Sequence, residues 1–159
     1  MIDARVKATY DELCERFPEH KTPQGYTYIG LDEVTERLNM VLGPMAWSFE
    51  VRDHGIEGEQ VWVLGRLTIP GDDGSPRFRD QFGSHEIARF TAPTGANPPQ
   101  YLLDRVGKIV DLGNDLKSAT SDAFKKAAQS LGIGLYLAEQ RTAAADAKQQ
   151  GRRQQPPRQ

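Results

Sequence analysis

The sequence predicts an α+β fold, a three-stranded antiparallel β-meander packed on helices in an α-β-β-β-α core. Three observations carry that expectation. Apolar and polar residues alternate with period two over Trp47–Asp53, Gln60–Ile69 and Arg77–Gly83, the signature of half-buried strands. The connections between these runs, 54–59 and 70–76, are short and carry Gly, Asp and Pro, as hairpins require. On either side of the strands, apolar residues recur at helical spacing.

Taken in order, Asp3 caps a first helix whose positions Val6, Tyr10, Leu13, Cys14 and Phe17 share a face, and Pro18 ends it. Pro23-Gln24-Gly25 marks a turn, and Tyr26 to Leu31 is a short extended piece. Asp32 reads as the cap of a second helix, with Val34, Leu38, Val41 and Leu42 on one side and Gly43 as its stop. In the strands, the aromatic parity (Trp47 and Phe49, then Phe78 and Phe82) is expected to face the core. After a Pro/Gly loop over 92–99, a helix beginning at Asn97-Pro98 is expected to group Leu102, Leu103, Val106, Ile109 and Val110. Asn114 then caps a last helix running to about Leu131, with Gly132 and Gly134 beyond it.

The chain has 159 residues and a net charge of −2, a length that suits one domain with a core of its own. The charge is uneven. Residues 1–137 hold 15 basic and 20 acidic side chains, whereas the remainder is +3. Residues 1–138 are therefore read as one domain and 139–159, rich in Ala, Gln, Arg and Pro, as a disordered basic tail. No apolar run is long enough to span a membrane, and Met1 to Arg5 opens no signal-peptide core. Cys14 has no intrachain partner, and His20, His54 and His85 are scattered, so neither a disulfide nor a zinc site is expected. The expected location is a reducing cytoplasm.

No nucleophile elbow, phosphate loop or HExxH sequence is present, so the chain reads as a non-enzyme without metal, cofactor or small-molecule substrate. Its chemistry-bearing features are cationic and aromatic. On the last helix Leu116, Ala123, Phe124, Ala127, Ala128 and Leu131 form an apolar stripe, with Asp122, Lys125, Lys126 and Gln129 opposite. Adjacent lysines suit phosphate contacts; the plainer reading is a solvated helix face. Arg52, Arg66 and Arg79 share the non-core parity of the three strands, where aligned register makes an arginine stripe able to grip phosphates. The plainer alternative is pairing with Glu50 or Asp80. Tyr26, Tyr28 and Trp62 are candidate stacking platforms for bases. Glu57, Glu59, Asp72 and Asp73 are read as solvated loop acids.

Two blocks resemble a known family. Tyr28-Ile29-Gly30-Leu31-Asp32-Glu33-Val34, followed by a helix ending at Gly43 and by Trp47 opening a strand, is similar to the start of the Rad-fifty-two-type single-strand annealing domain. Ser121-Asp122-Ala123-Phe124-Lys125-Lys126-Ala127-Ala128-Gln129-Ser130-Leu131-Gly132 resembles that family's last core helix. The Trp-Ser-Phe-Glu strand resembles its bacterial branch, the DNA-damage-response protein A type. The resemblance covers roughly Pro23 to Leu137. It implies sequence-independent binding of single-stranded DNA, annealing of complementary strands without nucleotide hydrolysis, a homo-oligomeric ring, and a nucleoid-associated role in recombinational repair. It also implies that Lys125 and Lys126 contact phosphates and that Tyr28 is the groove tyrosine. Gln129 stands where many members carry a third basic residue, and Lys21 is the nearest counterpart of their upstream arginine. Two other readings remain open from the sequence: a double-stranded RNA module, whose lysines belong at the final helix's N-terminus, and a partner-binding oligomer without nucleic acid, which the acidic body favours.

Overall fold

The computed structural model describes residues 4–21 and 27–138 and is α+β, with a three-stranded antiparallel sheet and several helices. It divides into two compact units, residues 46–127 and the described residues on either side of them.

In the flanking unit, α1 (Ala4–Leu13) packs beside α2 (Leu31–Leu42), and β1 (His20–Lys21) pairs antiparallel with β2 (Thr27–Tyr28). Helix α1 ends well before Pro18. The Arg37 guanidinium on α2 donates to the carbonyls of Glu12 (2.9 Å) and Glu15 (2.8 Å) and lies over the Phe17 ring at 4.4 Å. The side chain thus satisfies carbonyls that another helical turn would have used. Helix α2 is capped differently from the expectation. Gly30 precedes it, Asp32 lies inside its first turn, and the Glu33 carboxylate accepts from the Gly30 N–H at 2.8 Å. Gly43, with φ +95°, closes the helix as expected.

The 46–127 unit holds the sheet, in the order β3 (Ser48–Glu57), β4 (Gln60–Pro70), β5 (Pro76–Glu86). Strand β4 begins at Gln60 as expected, whereas β3 runs four residues closer to the turn than the alternation indicates, to Glu57. Glu57 pairs with Gln60, and Gly58 takes a φ of +58°, which a two-residue hairpin loop with glycine first needs. A bulge falls between Val51 and Asp53.

Helix α4 (Leu112–Gln129) packs on one sheet face through small residues. Ala119 and Ala123 form a buried cluster with Val61, Val63 and Ile87, with Phe49, Leu112 and Leu116 against it. The approach is backbone to backbone. A Cβ at Gly83 would overlap Ala119 O and Ala123 N, so only glycine fits there. Phe124 packs edge-on to Phe49 (5.0 Å between centroids) and stacks with Trp47 (5.7 Å). The cap of α4 is Asp111, whose carboxylate accepts from the Asn114 N–H at 3.0 Å. Asn114 itself is the third residue of the helix, inside its first turn.

The expected core aromatics of β5 and the helix expected after Asn97 also fail in this unit. Phe78 and Phe82 lie on the face away from α4. The register sets Phe82 opposite Leu64 and Phe78 opposite Thr68, while Gly83 and Arg79 oppose the buried Val63 and Leu67. The helix backbone occupies the space that an inward aromatic would need. The helix expected after Asn97 is only α3 (Gln100–Leu103). Gly107, at φ +79°, turns the chain so that residues 107–110 bond back to 88–90. Phe90 N–H donates to Lys108 O (3.0 Å) and Val110 N–H to Ala88 O (2.8 Å). Val106, Ile109 and Val110 remain substantially exposed.

Candidate nucleic-acid interface

Helix α4 brings Lys125 and Lys126 together because its other side is committed to the core. Ala123, Phe124, Ala127 and Ala128 are buried, Lys125 is half-buried and Lys126 exposed. Four residues before Lys126, the Asp122 carboxylate accepts from Lys126 Nζ at 2.7 Å and, through the same oxygen, from the Ser84 N–H of β5 at 3.1 Å. Lys126 is thus partly neutralised, in an exposed i,i+4 pair of small strength. Lys125 makes no ion pair with any described residue. Its half-buried stem and unmatched ammonium leave a compact cation available to an external anion. Gln129 is the last residue of α4 and half-buried.

Tyr28, in the flanking unit, is half-exposed on β2 opposite His20. Its ring centroid lies 5.8 Å from the His20 ring, and His20 Nε2 is 2.8 Å from Glu33 Oε1. Glu33 therefore serves both the start of α2 and the imidazole beside Tyr28. His20 was not legible as a neighbour of Tyr28, because strands of two residues each carry no alternation to read. Lys21 pairs through its backbone with Thr27; its side chain, Tyr26, and the expected tail all lie outside the described residues.

The three strand arginines do not form a stripe. Arg66 faces Glu50 on one side and Asp80 on the other. It makes two hydrogen bonds to Asp80, at 2.7 and 2.6 Å, and lies 4.7 Å over the Phe78 ring. That hydrogen bonding raises the Arg66 pKa above its ordinary value and lowers that of Asp80. Arg52 falls in the bulge, has no partner residue on β4, and reaches Glu50 at 3.2 Å. Arg79 opposes Leu67 and so lies on the face toward α4. The bulge and one-residue parity difference separate what the alternation alone had aligned.

Among the described residues no group of three or more His, Cys, Asp or Glu side chains could hold a metal ion, and no helix is long and apolar enough to cross a membrane. No model of a known protein family matches this chain, and no curated protein matches it.

Proposed function

We propose that this protein binds single-stranded DNA irrespective of sequence and anneals complementary strands in recombinational repair, as a homo-oligomeric ring. The observation that carries this reading is the adjacent pair Lys125 and Lys126 on the outer side of α4, with Lys125 unmatched by any described carboxylate. It occurs within the block that resembles the annealing family's last core helix. Annealing needs no nucleophile, metal or leaving-group chemistry. It needs cations that hold a phosphate backbone extended while the bases stay free to pair. Tyr28, half-exposed, is a suitable stacking surface in the same reading. The arginines contribute less, since Arg66 is already matched by Asp80 and Arg52 by Glu50. The lysines are the fourteenth and fifteenth of the eighteen residues of α4, which disfavours a double-stranded RNA module that would use that helix's N-terminus.

The test is binding and annealing of complementary oligonucleotides by Lys125→Ala/Lys126→Ala, across a salt series. The double variant is expected to bind at least about tenfold more weakly, with the log–log salt dependence shallower by about 1.4 for two lost phosphate contacts. Lys7→Ala, which removes the Lys7–Asp11 pair of α1, is expected to leave both unchanged. Undiminished binding and annealing by the double variant would remove the lysine pair from the mechanism.

A further inference from the structure

The face of the sheet turned away from α4 carries two clusters of the same chemistry, centred four residues apart on β4 at Arg66 and Trp62. In the first the Arg66 guanidinium lies on the Phe78 ring and is gripped by both oxygens of Asp80. In the second, Trp62 and Phe82 meet edge to face with centroids 6.0 Å apart. Together with Glu57 and Gln60 they line a depression of about 390 Å³. This second cluster has aromatic rings and a carboxylate, as the first does. Among the described residues, however, no cation pairs with Glu57. We propose that the depression binds an arginine side chain of a basic peptide segment on a partner protein, reproducing between two chains the contact that Arg66 makes within one.

Three features favour this occupant. The ring faces attract a cation through their quadrupole, and a planar guanidinium can stack on one ring while donating to a carboxylate. Glu57 supplies that carboxylate, and the Gln60 amide oxygen is a further acceptor. Glu86, opposite Gln60 in the register and therefore on the same face, adds a second negative charge. A phosphate backbone would be repelled there, whereas a cationic side chain is complementary. The depression is also pre-shaped. The Trp62 ring lies flat over Gly55, with three of its atoms within 2.7–2.9 Å of where a Cβ would stand. Gly55 thus lets the indole lie against the backbone, and Phe82, 60% exposed, leaves the opening accessible.

The experiment uses the full chain labelled with ¹⁵N at its two tryptophan indoles. Trp62 is assigned by its loss in Trp62→Phe, and Trp47, stacked on Phe124, serves as the internal reference. The probe is a blocked Gly-Arg-Ala-Arg-Gly peptide, compared with its citrulline counterpart, which keeps the shape and loses the charge. The Trp62 signal is expected to move with the arginine peptide and not with the citrulline peptide. Glu57→Gln, at an exposed strand end, is expected to weaken binding about tenfold through loss of one charge-assisted contact. Equal response to both peptides, no response to either, or unchanged binding by Glu57→Gln overturns the proposal. So does a Trp62 signal that moves with a thymidine oligonucleotide instead, or that changes with protein concentration alone, which assigns the face to a second copy. None of these outcomes depends on whether Lys125 and Lys126 bind DNA.

Discussion

The two faces of the three-stranded sheet are built on opposite principles. Toward α4 the closest contact is small against small: Gly83 of β5 meets the backbone of Ala119 and Ala123, while the Phe49 ring covers Gly65 beside it. On the other face the side chains are large and partly exposed, with Trp62, Phe78 and Phe82 interleaved with Arg66, Asp80 and Glu57. One face is closed by steric fit. The other presents rings and charges that the chain only partly matches for itself. A sheet can thus be anchored firmly on one side while the other remains available for recognition.

If that contrast is right, substitutions on the two faces should differ sharply. The largest effect is expected from Gly83→Ala, whose methyl would overlap the backbone of α4. A loss of about 2–3 kcal/mol in urea unfolding is expected from overpacking. A loss below about 0.5 kcal/mol, the range of an ordinary surface change, would mean that helix and sheet are not in backbone contact. Next comes Asp115→Ala. Asp115 is 1% exposed, and its carboxylate accepts from the Ala88 N–H at 3.2 Å while lying 3.8 Å from His85 Nε2. Removing it leaves that N–H without its acceptor and should cost about 2 kcal/mol, with Asp115→Asn retaining much of the difference. On the open face, Phe82→Ala should lower stability by about 1 kcal/mol or less, since most of the ring is already in water. A larger loss would show that this face, too, supports the fold.

The smallest effect is a pH dependence. Hydrogen bonding from Arg66 lowers the Asp80 pKa in the folded protein, so the unfolded chain binds this proton more readily. The resulting stabilisation is present above the ordinary aspartate range, about pH 4, and fades as pH falls through the lower folded value. Asp80→Asn should therefore make the acid side of the stability profile shallower below about pH 4. Because the pair is at the surface, the change should be small and reduced by salt. A profile identical to the parent protein would mean the twin hydrogen bonds do not persist in solution.

Much of the architecture was legible from local pattern. The three strands, the helix ending at Gly43, and the buried stripe of α4 all follow from periodicity and stop signals, which depend on residues only a few positions apart. Capping was read less well. Asp32 and Asn114 looked like helix starts, yet Glu33 and Asp111 provide the bonds that satisfy the first turns. Neighbouring polar residues compete for one role, and backbone direction decides between them. The 97–110 helix failed because a four-residue turn and Gly107 return the chain to residues 88–90, a pairing with a distant segment.

Of the candidate site, Lys125 and Lys126 were legible because helical spacing alone puts them opposite the apolar stripe. The aromatic cluster was only half legible. Trp62 stands out on the open parity, but the alternation alone puts Phe82 with the core and Glu57 in a loop. Period-two alternation determined that Phe78 and Phe82 share one face and Arg79 and Gly83 the other. It did not determine which face is covered. The tertiary structure decided that, because α4 approaches where Gly83 leaves room for its backbone, and the space it fills excludes a ring on that side.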